Sequence, residues 1–393
     1  MMNRREFVAG LTVSTALVST SRGQSNVVRV GYSIGQTGPL ASSTPVQSQA
    51  YTLWGEQVNA RGGLEIAGEG RKRIEFVVYD DQSQGNKAAQ AYERLINTDR
   101  VDLLLAPYAS PMHLGVLPVI ERFKRPLIAN TIGTTAARDA HSKYMFFTQA
   151  LPDMWGAEVA NLIKSLGSKR VAISMAQSPF CIEFRKAAVP ALQKAGLEVV
   201  FNQEYAADIK DMTPLLSGIK ASNPDFLLAI TFLNDSVPML TQARELGLKV
   251  DYFFELLGPA QPSFVSRFGE NANGILAVGF WSRHSKTTGS AEFFDGYLKR
   301  WNMPPDDKDS SIAYITCQIL EQAVKKAGVD PEKLRAELSS ATFDTMMGNV
   351  KYNEQNVNMG APPGFIQLQN GINEVVWPPE QASAKIIKKP AWA

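Results

Sequence analysis

The sequence predicts an α/β protein with two domains of similar size, each built on a mostly parallel β-sheet. Short runs rich in β-branched residues alternate with amphipathic stretches of about 12 residues, which is typical of βαβ units. This alternation restarts near residue 144, as though one architecture were used twice. The chain has 393 residues, which suits two domains at roughly 100–200 residues each.

The first half contains strand-like runs that are followed by predicted helices. Ala50, Leu53, Trp54 and Val58 recur at the spacing of one helix face and predict a helix over residues 45–60. The strand-like runs read "VVRVGYS", "RIEFVVYD", "VDLLLAPY" and "RPLIAN", and the first three precede helices over residues 45–60, 86–97 and 112–123.

The second half repeats this order and then changes near residue 275. Its strand-like runs read "YMFFTQ", "KRVAISMA", "LEVVFNQEY", "PDFLLAITF" and "VDYFFELL", with helices predicted between them. After residue 275 come the strand "GILAVGFWS", helices over residues 290–301 and 310–327, and "DPEKLRAEL". The tail "FIQLQNGINEVVWPP" predicts a hairpin that turns at Asn370-Gly371.

The composition is that of an ordinary globular protein and excludes several classes of partner. Hydrophobic residues make up 45%, charged residues 20%, and the net charge is +2. We therefore expect neither a nucleic-acid partner nor a charged membrane surface. Cys181 and Cys317 fall on predicted helices of different domains, so we expect free, partly buried thiols rather than a disulfide.

The N-terminus predicts export. Residues 1–23 begin with Arg4-Arg5, continue with an uncharged run and end in small residues, which is the layout of a cleaved signal peptide. The run is too short for a membrane anchor, and no cysteine near the cleavage point offers a lipid anchor. We expect the mature protein in the periplasm; the twin-arginine and the ordinary secretory routes both stay open.

Motifs for catalysis and metal binding are absent from the sequence. The three histidines show no metal-ligand spacing, and no G-x-S-x-G, Walker A or G-x-G-x-x-G motif occurs. The pairs Asp80-Asp81 and Asp306-Asp307 fit solvated faces or helix caps better than a catalytic pair, because neighbouring side chains diverge. We therefore expect no enzyme activity, no cofactor and no metal.

Polar loops follow the predicted strands, where a parallel sheet places its ligand site. In the first half they are uncharged: "SIGQTGPLASST" at 33–44, Ser110 before Pro111, and "TIGTT" with Thr131, Gly133 and Thr134. Ser110 is placed to cap a helix that starts at the proline. The second half offers Phe180 after the cap candidate Ser178, then Phe232 and Asn234, then Glu255. Each residue alone also suits a cap or a core position.

The motifs "GYSIGQTGPLA", "VNARGGL", "VVYDDQSQ", "APYASP", "KYMFFTQ" and "IKSLGSKRVAI" resemble the leucine/isoleucine/valine-binding family of periplasmic proteins, which are type I solute-binding proteins of ABC transporters. The resemblance runs from about Val27 to Pro378. It implies two doubly wound lobes joined by three crossovers near residues 147–149, 278–281 and 348–352. Lobe 1 would comprise residues 27–147 plus 280–350, and lobe 2 residues 148–279 plus 351–378.

Ten residues are candidates for ligand contact, and the resemblance implies roles for eight of them. Ser110 resembles a serine that helps to hold the ligand carboxylate, and Thr131 and Gly133, with Thr134 beside them, resemble a loop that binds the carboxylate and ammonium groups. Glu255 matches the acid that meets the ammonium group. Phe180 matches a tyrosine that closes over the ligand, and Phe232 lies near another. Two positions depart from the family: Ser43 replaces a lid aromatic and Asp309 replaces a pocket aromatic. Thr134 and Asn234 are candidates by their place in the loops alone.

From this resemblance we expect a monomeric binding protein that closes by a hinge around a small ligand and then docks on membrane permease subunits. The ligand would be a branched-chain amino acid or a related small carboxylate. An aromatic acid or a urea-like amide remains open, as does a ligand sensor for a membrane kinase. An exported hydrolase and a transcription regulator are the other classes; the latter would need an N-terminal helix-turn-helix where this chain has its predicted signal peptide.

Overall fold

The computed structural model describes residues 26–206, 209–231, 233–260 and 262–393. The predicted signal peptide at residues 1–23 and the predicted ligand residue Phe232 lie outside the described residues. The strands are β1 (Val27–Ile34), β2 (Leu64–Ile66), β3 (Gly70–Asp80), β4 (Leu103–Leu104), β5 (Leu127–Ala129), β6 (Met145–Phe147), β7 (Arg170–Ala176), β8 (Glu198–Tyr205), β9 (Phe226–Ile230), β10 (Tyr252–Glu255), β11 (Ile275–Val278), β12 (Thr342–Thr345), β13 (Gly348–Lys351), β14 (Phe365–Gln369) and β15 (Ile372–Trp377). The helices are α1 (Pro45–Ala60), α2 (Gly85–Asn97), α3 (Ser110–Phe123), α4 (Ala136–Asp139), α5 (Pro152–Ser165), α6 (Pro179–Lys194), α7 (Thr213–Ala221), α8 (Leu233–Glu245), α9 (Pro262–Phe268), α10 (Ser290–Trp301), α11 (Asp309–Ala327) and α12 (Pro331–Ser340).

The first sheet has the strand order β2-β3-β1-β4, with β1 parallel to both β3 and β4 and with β2 antiparallel at the edge. The strands β5 and β6 pair in parallel beside it. Helices α2 and α3 pack against one another, and α1 packs against α11. These two helix pairs belong to separate hydrophobic clusters on opposite faces of the sheet, so this part of the chain is doubly wound, as the sequence predicts.

The second sheet has the order β15-β14-β11-β10-β9-β7-β8. The five strands from β8 to β11 are parallel, and the hairpin β14–β15 joins their edge in antiparallel orientation. The hairpin turns at Asn370 and Gly371, which both have positive φ (52° and 79°), so the predicted turn is confirmed.

Three crossovers connect the segments of lobe 1 with those of lobe 2, which confirms the predicted fold class. They cover residues 148–151 between β6 and α5, 279–289 between β11 and α10, and 352–364 between β13 and β14. The first and third lie side by side: Phe147 N donates to Asn356 O (2.8 Å) and Asn358 N donates to Phe147 O (3.0 Å). We keep the names lobe 1 and lobe 2 for the predicted ranges, whose boundaries stay a prediction.

Three elements escape the sequence pattern: the hairpin β12–β13 and the short helices α4 and α9. The residues 348–351, expected at the third crossover, form strand β13, so the connecting segment begins at Tyr352. Cys181 and Cys317 are free and buried, on α6 and α11, as expected. Within the described residues, no helix combines the length and apolarity that crossing a membrane requires.

The helices α5 and α6 pack closely in lobe 2 because Gly156 has no side chain. A Cβ atom at this position would clash with the carbonyl oxygen of Phe184 and would lie 3.1 Å from the Ala187 Cβ atom. The carbonyl belongs to helix backbone and cannot move alone, so any side chain at Gly156 must push the two helices apart.

We therefore predict that Gly156→Ala lowers the free energy of unfolding by about 1–3 kcal/mol, although alanine is the better helix former. Urea denaturation of the mature protein measures this change. Lys164→Ala, at an exposed position of the same helix, is the control and should stay within about 0.5 kcal/mol of the parent. A Gly156→Ala variant as stable as the parent would show that α5 and α6 are not in close contact.

Candidate functional site

The hydroxyl-rich loop at residues 33–44 mainly stabilises itself. Thr37 Oγ1 donates to Asp80 Oδ2 (2.7 Å), Ser33 Oγ donates to Asp81 Oδ2 (2.8 Å), and Thr44 Oγ1 donates to Gly35 O (2.7 Å). These hydroxyls are therefore occupied by the protein. The predicted ligand residue Ser43 lies in the same loop and is exposed.

Helix α3 starts at the edge of lobe 1 where the predicted serine lies, but Ser110 is not its cap. The helix begins at Ser110, and Ala109 is the N-cap residue, so the expected capping role was wrong. Instead, the Ser110 hydroxyl oxygen accepts a hydrogen bond from Gly133 N (2.9 Å). The hydroxyl hydrogen of Ser110 and the N–H groups of Ser110 and Met112 donate to no other described group, so they remain available to an acceptor such as a carboxylate.

The residue before α3 has a strained backbone. Ala109 has φ 65° and ψ 158°, a combination that residues with a Cβ atom rarely adopt. Two side chains hold it there: Ala109 N donates to Thr131 Oγ1 (3.0 Å), and His113 Nδ1 lies 2.9 Å from Ala109 O. Burial lowers the pKa of His113 to about 4, so its ring is neutral and Nδ1 carries the hydrogen that the carbonyl accepts.

A buried polar network supports this strained turn. Gln47 Nε2 donates to the carbonyl oxygens of Ala106 (3.0 Å) and Pro107 (3.1 Å), and Gln47 Oε1 accepts from Thr131 Oγ1 (3.2 Å). Asn130 and Tyr51 complete the network. Gln47 and Asn130 were not among the predicted site residues, because nothing in the local sequence separates a buried glutamine on α1 from an exposed one.

The loop at residues 131–135 is one of the parts of lobe 1 that touch lobe 2. A Cβ atom at Gly133 would lie only 2.6 Å from Cδ2 of Phe180 on α6, so the ring packs directly on this glycine. Thr134 Oγ1 donates to Glu183 Oε1 (3.0 Å), and Thr135 N donates to Glu183 Oε2 (2.8 Å). The predicted residues Thr131, Gly133, Thr134 and Phe180 are thus brought together, with Glu183 as an addition that the sequence did not suggest.

Lobe 2 presents aromatic rings behind this contact. The ring centroids of Phe180 and Phe184 are 6.4 Å apart, and those of Phe184 and Phe254, at the end of β10, are also 6.4 Å apart. Ser178 caps α6 by accepting from Cys181 N (3.3 Å), as its position before Pro179 suggested. The contacts therefore run from Ser110 and Gly133 through three rings to the residue that precedes Glu255.

Glu255 is fully buried, and neither of its carboxyl oxygens is in hydrogen-bonding geometry with another described residue. Burial raises the pKa of Glu255 well above its usual value; the nearby Asp235 adds to the rise and the Ser236 hydroxyl opposes it. A buried carboxyl without a hydrogen-bond partner is costly when charged, so this position disfavours the ionised form of Glu255.

Two other predicted residues lie apart from this contact or are already paired. Asn234 is exposed in the first turn of α8. Asp309 is buried at the start of α11, where Oδ2 accepts from Tyr108 OH (2.8 Å) and Oδ1 accepts from Lys308 Nζ (2.9 Å). Both carboxyl oxygens of Asp309 are therefore already paired within the protein.

The acid pair at Asp306-Asp307 has a structural role. Asp306 Oδ1 accepts from Lys308 N (3.0 Å) and Asp306 Oδ2 from Ser310 N (2.9 Å), so it caps α11. Asp307 Oδ2 accepts from Asn373 Nδ2 (2.7 Å) and thereby joins lobe 1 to the β14–β15 hairpin. Asp307 and Asn373 also line a cavity of about 200 Å³ that is bordered by Arg283, Phe294 and Ile372.

The chain matches the family described as periplasmic binding protein over residues 27–371. A relative from Brucella suis biovar 1, the Leu/Ile/Val-binding protein homolog 7, is 24% identical over 390 residues and covers 94% of this chain and 96% of its own length.

Within the described part of the chain, no group of three or more His, Cys, Asp or Glu side chains is arranged to hold a metal ion.

Two solved structures show the same fold. The branched-chain amino acid transporter substrate binding protein LivJ from Streptococcus pneumoniae, in complex with isoleucine, has a TM-score of 0.74 and 19% identity, covering 92% of this chain and 99% of that one. A solute binding protein of an ABC transporter from Rhodopseudomonas palustris BisB5, in complex with 3,4-dihydroxybenzoic acid, also has a TM-score of 0.74 and 19% identity, covering 94% and 98%.

The strained turn before α3 gives a prediction about stability. Ala109→Gly should raise the free energy of unfolding by about 1 kcal/mol, because relief of roughly 1–3 kcal/mol of strain exceeds the entropy that glycine adds to the unfolded chain. Thermal and urea denaturation measure the difference. Ala336→Gly, on the exposed face of α12, should instead lose about 1 kcal/mol. Equal losses in both variants would mean that Ala109 is not strained.

Proposed function

The chain belongs to the periplasmic binding protein family, and on that basis we propose that it is the extracytoplasmic substrate-binding component of an ABC importer. Its ligand is a small zwitterion that carries a carboxylate and an ammonium group, with a branched-chain amino acid as the first candidate. The protein works in the periplasm after removal of residues 1–23, binds without altering its ligand and delivers it to permease subunits in the membrane. The relatives named for leucine, isoleucine and valine support this ligand class.

The proposal rests mainly on two sets of polar groups, one on each lobe, that have no hydrogen-bond partner among the described residues. Lobe 1 offers the free N–H groups and hydroxyl hydrogen at the start of α3, which suit a carboxylate. Lobe 2 offers the buried carboxyl of Glu255, which suits an ammonium group. The run of contacts from Gly133 through Phe180 and Phe184 to Phe254, next to Glu255, supports a common site for both groups.

Closure of the lobes supplies the affinity. Ligand first meets the donors of Ser110 in the open protein, and closure then brings the Phe180 ring and Glu255 to it. Charge-assisted hydrogen bonds contribute about 1.5–3 kcal/mol each, and a micromolar dissociation constant needs about 8 kcal/mol. Two such contacts with burial of an aliphatic side chain against the rings reach this total. Only a ligand that binds the closed form better can drive the motion.

A second candidate ligand is an aromatic acid, favoured by the state of Glu255. A neutral carboxyl can donate a hydrogen bond to a phenolic oxygen as readily as it can ionise beside an ammonium group. The relative from Rhodopseudomonas palustris, which binds 3,4-dihydroxybenzoic acid, supports this alternative. The two ligand classes differ in one measurable respect, because only an ammonium group requires Glu255 to lose its proton.

We predict that leucine binding at pH 7 releases up to about one proton per ligand, since the raised pKa of free Glu255 must fall when the ammonium group arrives. Titration calorimetry in two buffers of different ionisation enthalpy measures this number. Glu255→Gln should abolish the release and weaken leucine binding by about 10–100-fold. Binding of an aromatic acid should release no proton.

The control is Glu245→Gln, which changes an exposed acid at the end of α8 and should leave both affinity and proton release unchanged. Binding of leucine with no proton release in the parent protein would contradict the role of Glu255. Absence of binding by every branched-chain amino acid and aromatic acid would contradict the proposed ligand classes.

A further inference from the structure

We propose that Glu183 on α6 acts as a clasp that stabilises the closed arrangement of the lobes with and without ligand. The clasp consists of Glu183 together with Thr134 and Thr135. It follows that Thr134 influences ligand affinity through closure and not through contact with the ligand. The part of the proposal that concerns ligand rests on the binding function proposed above, whereas the clasp itself does not.

The geometry of the clasp uses both oxygens of one carboxylate. Glu183 Oε1 accepts from the Thr134 hydroxyl at 3.0 Å, and Glu183 Oε2 accepts from the backbone N–H of Thr135 at 2.8 Å. Thr134 is buried and Glu183 is half-buried, so water competes only in part for these bonds. Hydrogen bonds to an ionised acceptor are stronger than those between neutral groups.

The Thr134 hydroxyl has no capacity left for a ligand carboxylate. A hydroxyl group has one hydrogen to donate, and that of Thr134 goes to Glu183. Its oxygen also accepts from Ala136 N at 3.2 Å, which ties the hydroxyl to the first turn of α4. The sequence predicts Thr134 as a ligand residue, but in this chain the Glu183 carboxylate already accepts the hydrogen of its hydroxyl.

The clasp can form only when the lobes are close together. Thr134 and Thr135 follow β5 in lobe 1, whereas Glu183 lies in the second turn of α6 in lobe 2. The neighbouring contact between Gly133 and the Phe180 ring also spans the two lobes. The first crossover also contacts this loop, because Gln149 Nε2 donates to Ile132 O at 2.5 Å. Opening of the hinge therefore has to break both bonds of the clasp together.

The first test needs no ligand. Hydrogen exchange at the Thr135 amide, followed by mass spectrometry of the peptide that covers residues 130–137, should be several-fold faster in Glu183→Ala than in the parent. Glu245→Ala is the matched control and should leave this exchange unchanged. Equal exchange in the parent and in Glu183→Ala would overturn the clasp, whichever ligand the protein proves to bind.

The second test uses leucine and stopped-flow kinetics. Glu183→Ala should raise the dissociation rate about ten-fold and leave the association rate nearly unchanged, because ligand meets lobe 1 before the clasp forms. Thr134→Val should also raise the dissociation rate when it is made in the parent protein. The same substitution should change this rate little when it is made in Glu183→Ala. The missing additivity would be the signature of action through the clasp.

The outcomes separate the clasp from the ligand assignment. If Thr134→Val weakens binding equally in both backgrounds, Thr134 contacts the ligand and the inferred role of its hydroxyl is wrong. If leucine and the aromatic acids do not bind at all, the proposed function fails, while faster exchange at Thr135 still supports the clasp.

Discussion

The loop at residues 130–135 is the physical connection on which the rest of the site depends. Its Thr131 hydroxyl holds the strained Ala109, and its Gly133 N–H binds the Ser110 hydroxyl oxygen. Its Ile132 carbonyl accepts from Gln149 in the first crossover. Its last residues bind Glu183 on the other lobe. One short segment therefore connects the start of α3 in lobe 1 with the first crossover and with lobe 2. A movement of the crossover or of lobe 2 would therefore shift the start of α3.

This arrangement divides the polar groups between structure and binding. The hydroxyls that look most available in the sequence, those of Thr37, Thr44 and Thr131, are used by the protein itself. Other polar groups have no partner among the described residues, and these include the donors at the start of α3 and the carboxyl of Glu255. Unsatisfied polar groups in a buried or half-buried place are expensive, and a ligand that satisfies them recovers this cost on binding.

Much of the fold follows from the sequence because its signals are local. Alternating runs located the strands and helices of both sheets, and Asn370-Gly371 located the last hairpin. The hairpin β12–β13 escaped because its four-residue strands are short and half polar. The ends of parallel strands also pointed to the region where Gly133, Phe180 and Ser110 lie, since that edge is set by topology.

The rest of the site could not be predicted because it depends on contacts between distant segments. Ser110 before Pro111 reads as a cap, but the positive φ of Ala109, imposed by Thr131 and His113, moves the cap by one residue. Gln47 and Glu183 lie on helix faces where a polar residue is usually solvated, and only the folded chain shows their partners. Membership in the periplasmic binding protein family gives the frame for these contacts but not their identity at each position.

The proposed function requires the two lobes to close around a small zwitterion. Small-angle X-ray scattering of the mature protein during a titration with leucine measures this most directly. We expect the radius of gyration to fall and to saturate at the same leucine concentration as the heat of binding. A radius that stays constant while leucine binds would contradict closure as the mechanism.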